Sequence, residues 1–289
     1  MIKGVFVKIF RSIVKVLPVL LLLLPSCRGV QAADHTPVQL ASASALRLYQ
    51  HSGCQLSPDQ SGKLQQGLSQ IQSVYAQALG HAPDPGHPLT VQLFCSEASY
   101  RAYGKSTGSD ASSDTGYYSL ERREMVVYSK YGLEKSLQTI YHEASHAILR
   151  AHPGPYPKWL NEGLAEYFEG GVPVPGALVV APQQVKENRV QSLLQSGRLP
   201  ALANYLSLTN QDWQLANRPE PLSSTIGWSL VYYLMESSTG RDMVKQLVSL
   251  HREQISPLVA INQVYPGGSA ALEQDWHHWL QSPRKDHVW

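Results

Sequence analysis

Between residues 151 and 157 the chain reads AHPGPYP, one glycine and three prolines in seven residues, a stretch that no α-helix continues through. The patterns on either side are helical. Before it, Leu133, Leu137, Ile140, Ala144 and Ile148 recur at intervals of three and four. After it, KWLNEGLAEYFEG repeats Leu160, Leu164 and Phe168. Helix, reversal and helix place two amphipathic segments side by side, and the polar residues they carry are brought together. The first carries His142 and His146, one turn apart on a face distinct from the apolar stripe, with Glu143 beside them. The second carries Glu162 and Glu166.

Two imidazoles one turn apart can aim their nitrogens at one point, and zinc in a hydrolytic site needs three protein ligands with one position left open. His142 and His146 supply two. If the chain reverses near Gly154, His146 lies eight residues before the turn and Glu162 eight after it, while His142 and Glu166 lie twelve away on each side. We assign Glu162 as the third ligand. Glu166 then accepts a hydrogen bond from the free N–H of a ligand histidine, which fixes tautomer and ring direction. The count alone equally permits the reverse assignment. Glu143 is too close in sequence to His142 to join the same point easily. It can reach water on the metal as general base and pass the proton to a leaving amine. Glu169 reads as surface. Two imidazoles and one carboxylate suit Zn2+, one per chain, better than the harder divalent ions.

The first 32 residues read as a leader. Lys3, Lys8, Arg11 and Lys15 precede the apolar run VLPVLLLLLP, which is short for a membrane span and ordinary for a secretory signal peptide cut after Ala32. LPSC, ending at Cys27, offers a second exit as a lipobox, with a lipid anchor as the chain's one tie to a membrane. Cutting after Ala32 removes five of the 24 basic residues and none of the 22 acidic ones, so a formal +2 becomes −3. The basicity belongs to the leader, and nothing suggests a nucleic-acid surface. Cys54 and Cys95 remain as an even pair in an exported chain, which favours a disulfide.

Residues 33–182 read as the core. A helix over about 58–79 is capped by Ser57 or Asp59 and ended by Gly80. A strand over Leu89–Cys95, a short helix capped by Ser96, and a hairpin of GYYS and EMVVY follow. This order suggests a small mixed or antiparallel sheet with helices on one side. From residue 183 the chain reads as all-helical. Trp213, Trp228, Trp276 and Trp279 form its packing, and adjacent His277 and His278 point too far apart to share a metal.

HEASH followed by WLNEGLAEYFE resembles the gluzincin metallopeptidases of the peptidase MA-like superfamily, and WLNEG is similar to the signature of the zinc aminopeptidases. The resemblance extends loosely over residues 88–280 and implies a zincin-like α+β fold. It implies that His142, His146 and Glu162 hold zinc, Glu143 is catalytic, and Glu166 supports a histidine. It further implies an edge strand that pairs with an extended peptide, which makes GYYS or EMVVY that strand and Tyr117 and Tyr118 candidates for substrate contact. In one respect the chain departs from the family. The tyrosine expected near the start of STIGWSLVYYLM is replaced by Ser224 and Thr225, and Tyr232 and Tyr233 lie two turns in. No amine-binding motif surrounds Tyr117, which argues against an aminopeptidase. The expectation is an exported, periplasmic zinc metallopeptidase acting on peptides or proteins, either free or anchored to the outer membrane. The alternatives are an envelope protein that holds zinc and binds without cleaving, and an amide hydrolase of cell-wall peptides.

Overall fold

The computed structural model describes residues 38–39, 46–51, 53–82, 86–109, 113–152, 154 and 156–289. The expected leader, with Cys27 and the expected cut after Ala32, lies outside them. The first sheet has five strands: β1 (Val38–Gln39), β2 (Leu46–Gln50), β3 (Leu89–Phe94), β4 (Gly116–Ser119) and β5 (Glu124–Tyr128). Their order is β1-β2-β3-β5-β4. β2, β3 and β5 run parallel, while β1 and β4 pair antiparallel at the two edges. Of the two candidate strands in the hairpin, β4 is therefore the free edge and β5 is interior.

Three helices border this sheet: α1 (Pro58–Ala78), α2 (Glu97–Ser106) and α3 (Leu133–Arg150). Ser57 caps α1 reciprocally with Gln60. The expectation of helices on one side is corrected here. Leu93, Met125 and Val127 enter the main core with α1 and α3, whereas Phe94 and Val126 turn the other way onto Tyr100 of α2. Strand residues alternate between faces. The α2-side face carries Phe94 and Val126 beside the buried polar Gln92 and Glu124, and α2 covers it through Tyr100 and through Tyr103, whose hydroxyl donates to Glu124. Cys54 and Cys95 are disulfide-bonded with Cα atoms 5.2 Å apart, tying the end of β2 to the end of β3.

After α3 comes α4 (Lys158–Glu169), then the hairpin β6 (Gly171–Val174) and β7 (Ala177–Val180). The remaining helices are α5 (Gln184–Gln195), α6 (Leu202–Leu206), α7 (Asn210–Ala216), α8 (Leu222–Met235), α9 (Ser238–Arg252), α10 (Pro257–Val264) and α11 (Gly268–Trp279), before a last strand β8 (His287–Val288). The C-terminal part is helical, as the sequence suggests, but β8 adds to β7 and completes a second, three-stranded sheet that local sequence does not signal. Tyr167 of α4 meets His287 Nδ1 at 2.8 Å, and Trp289 Nε1 donates to the same hydroxyl at 3.0 Å. The tail is thereby fastened to the helix that carries Glu162.

α4 is buried on nearly every side, between α3 and α8. Its contact with α8 is made backbone to backbone. A Cβ added at Gly163 would lie 2.6 Å from Gly227 O, and one at Gly227 would lie 2.8 Å from Trp159 O. Only glycine permits that approach. No described helix is long and apolar enough to cross a membrane.

Candidate metal centre

α3 is set by contacts made beside and between its histidines. Ser145 is fully buried and meets Tyr75 Oη of α1 at 2.5 Å, while Ala144 packs in the core. Tyr141 Oη donates to Lys63 O at 2.9 Å, and its ring fills the space left by Gly67, where a Cβ would collide at 2.3 Å. With those faces committed to α1 and the sheet, His142 and His146 are turned toward α4.

Glu162 Oε2 stands 3.9 Å from His142 Nε2 and 3.7 Å from His146 Nε2. Donor atoms of the three residues all fall within 4.8 Å of one another. Tetrahedral zinc with bonds near 2.0–2.1 Å would hold its ligand atoms about 3.4 Å apart, so Glu162 stands within about half an ångström of that separation from each histidine. Two imidazoles and one carboxylate on two rigid helices fit zinc in donor type and in number.

The other imidazole nitrogen of His142 departs from expectation. His142 Nδ1 lies 3.5 Å from Glu169 Oε2, and Glu166 is instead held by Lys186 of α5, whose Nζ contacts Glu166 and lies 3.6 Å from Glu169. The supporting carboxylate is thus Glu169, one turn beyond Glu166. Residue counting assumes a symmetric reversal. The signal that could have found Glu169 is the 162–166–169 spacing, which puts all three glutamates on one helix face.

Electrostatics divide the two histidines. Burial disfavours a charged His142, but Glu169 at Nδ1, with Glu143 and Glu166 nearby, outweighs it and pushes the ring up to about 10. His146 is desolvated without a comparable partner and is pushed down to about 4. Burial raises Glu143 to about 7, against the pull of His142 and of the Tyr118 backbone N–H. Burial would also raise Glu162, but the two imidazoles and Lys158 draw it below its ordinary value. Ligation would require the Nε2 lone pair of His142, so a bound metal would displace that proton, while the N–H at Nδ1 would stay directed at Glu169.

These residues line an open cleft of about 670 Å³, bounded by α3, α4 and β4. Tyr117 and Tyr118 both border it. The Tyr117 ring packs toward Tyr100 on the α2 side of the sheet, and Tyr118 packs toward the main core. Gly116 lets β4 come close to α3, since a Cβ there would lie 2.9 Å from Thr139 Cγ2. Among the described residues no side chain of α8 borders the cleft. Thr225 donates to Pro221 O, and Tyr232 donates to Val180 O and Lys285 O, so both are engaged in packing. Trp213, Trp228 and Trp276 are core residues.

No curated protein matches the chain. Residues 136–255, from the first turn of α3 past the end of α9, match the family model described as "Protein of unknown function (DUF1570)".

Proposed function

We propose that this chain is a gluzincin-type zinc metallopeptidase of the cell envelope, hydrolysing peptide bonds in an exported, oxidising compartment. One observation carries the reading: His142, His146 and Glu162 converge their donor atoms from two packed helices, with buried Glu143 beside them and the free edge β4 alongside. The disulfide is consistent with export. Bound zinc would supply Lewis-acid polarisation of the scissile carbonyl. The rest of the chemistry belongs to this chain's own residues. β4, at the edge of the sheet, gives an extended peptide a backbone to lie along, with its outward carbonyls as acceptors while Tyr118 N–H is engaged by Glu143 and Gly116 N–H by Ser113. Glu143, with its proton affinity raised to about 7, is poised to take a proton from the attacking water and release it to the departing amine. Glu169 holds His142 in one tautomer.

A second reading, a zinc-holding protein that binds without cleaving, is favoured by the lack of any α8 tyrosine or histidine along the cleft among the described residues. Metal analysis of the purified mature chain, followed by a peptide-cleavage assay with and without chelator, separates the two. The peptidase reading expects one zinc per chain, chelator-sensitive cleavage, and loss of turnover in Glu143→Gln with zinc retained. Stoichiometric zinc with no cleavage of broad peptide libraries would support the binder, and cleavage surviving in Glu143→Gln would refute the mechanism.

A further inference from the structure

Beyond His146 the cleft changes character. Arg150 follows His146 by four residues, so it lies one turn, about 6 Å, further along the ligand-bearing face of α3. It borders the main cleft and also a small side cavity of about 40 Å³ that it shares with Tyr118 and Arg123. Arg123 ends the β4–β5 turn in the left-handed region, with φ 52°. Its neighbour Arg122 is committed, with Nε 2.7 Å from the buried Glu124. Neither Arg123 nor Arg150 has an ion pair or a side-chain hydrogen bond to any described residue, although both guanidinium groups act on the Tyr118 phenol. Lys158, at the same end, lies 3.7 Å from Glu162. At the opposite end, past His142, stand Glu166 and Glu169 with a single lysine between them. The cleft is therefore basic at one end and acidic at the other.

Two exposed guanidinium groups that border one cavity, with no ion-pair partner among the described residues, can bind an anion jointly, and their planar forks match a carboxylate. We infer that the cleft selects substrates carrying a carboxylate, which Arg150 and Arg123 bind at the Ser119 end of β4. This rests on the peptidase reading above and deepens it. A peptide pairing antiparallel to β4 lays its N-terminal portion at that end, so the carboxylate is then an acidic side chain upstream of the scissile bond. A peptide running parallel would deliver its C-terminal carboxylate to the same place. The chemistry of recognition is shared, and the source is separable by experiment.

The test uses the full mature chain, loaded with zinc and carrying Glu143→Gln so that bound peptide persists. Calorimetric titration with alanine-based octapeptides compares a single glutamate, walked along the sequence, with glutamine at the same position. It also compares free C-terminal acids with amides. At least one glutamate position, or the free terminus, should bind roughly five- to tenfold tighter than its neutral counterpart. The first outcome assigns a side chain and the second a terminus. The advantage should shrink to less than about twofold in Arg123→Gln/Arg150→Gln and recover only in part in Arg150→Lys, which keeps charge but not the fork. Equal affinity for acidic and neutral peptides, no peptide binding at all, or a preference that survives the double substitution would overturn the inference. The two ideas fail separately: zinc-dependent cleavage without acid preference removes this one alone, and acid preference without zinc or cleavage removes the peptidase reading alone.

Discussion

The two ends of the cleft differ in how their charges are answered. Past His142, carboxylates and a lysine answer one another: Glu169 faces the histidine, Lys186 holds Glu166 and also approaches Glu169, and the lysine and Glu166 are largely buried. Glu169 is drawn down to about 2, by His142 and Lys186 against the effect of burial, whereas burial pushes Glu166 up. Past His146, the arginines face solvent with no acidic partner among the described residues. A charge group satisfied from within holds a structure in place, while one left unanswered is available to a ligand. On the proposed reading, the difference separates the part of the site that would build the metal centre from the part that would meet substrate.

The sharpest way to break this division is to move the helix that both ends share. Gly163→Val drives a branched side chain into the α8 backbone, where even a Cβ would be 2.6 Å from Gly227 O. The expected cost exceeds about 4 kcal/mol, by overpacking against backbone that cannot yield. Zinc and peptide binding should be lost together, as read by metal analysis and chemical denaturation. If Gly163→Val folds with normal stability, the backbone contact between α4 and α8 does not position Glu162. Next in size is Lys186→Met, which leaves Glu166 without its cation and Glu169 with His142 alone. Removing one partner of a buried pair costs about 3 kcal/mol, visible as a lower denaturation midpoint with an unchanged m-value.

A smaller effect distinguishes the two carboxylates. Glu169→Gln should weaken zinc binding by roughly 10–100-fold, the usual effect of removing the carboxylate that orients a ligand histidine. Glu166→Gln, which loses a lysine contact and not a histidine contact, should weaken it by much less. Competition with a fluorescent zinc chelator measures both, and the reverse ranking would reinstate Glu166 as the supporting residue. This is also where the legibility of the sequence ends. The helix pair, the Ser57 and Ser96 caps and the two histidines follow from local spacing, and the Cys54–Cys95 pairing follows from residue chemistry, whereas the count left Glu162 and Glu166 interchangeable. Glu169 depends on the crossing of α3 and α4, which counting from Gly154 treats as a mirror. Lys186 and His287 reach α4 from 17 and 120 residues beyond Glu169 and Tyr167 respectively. The covering of the outer sheet face by α2 is another such case. Only Phe94 and Val126 hint at it from the strands, since the same face also carries Gln92 and Glu124, whose partners come from other elements.

The smallest expected effect is the one that most directly tests the comparison. If the arginine end exists to meet a ligand, removing its charges should barely touch the fold. Arg123→Gln loses no described partner, and its backbone strain at φ 52° is unchanged in kind, so its stability should stay within about 0.5 kcal/mol of the parent. Arg150 lies in the last turn of α3, where a cation interacts favourably with the helix carbonyls. Arg150→Gln should therefore cost a few tenths of a kcal/mol, about 0.3–1 at low salt and less as salt is added. Thermal unfolding at two salt concentrations reads both values. A loss near that of Lys186→Met would mean that Arg150 is held by the protein itself, and the basic end would then be scaffold like the acidic one.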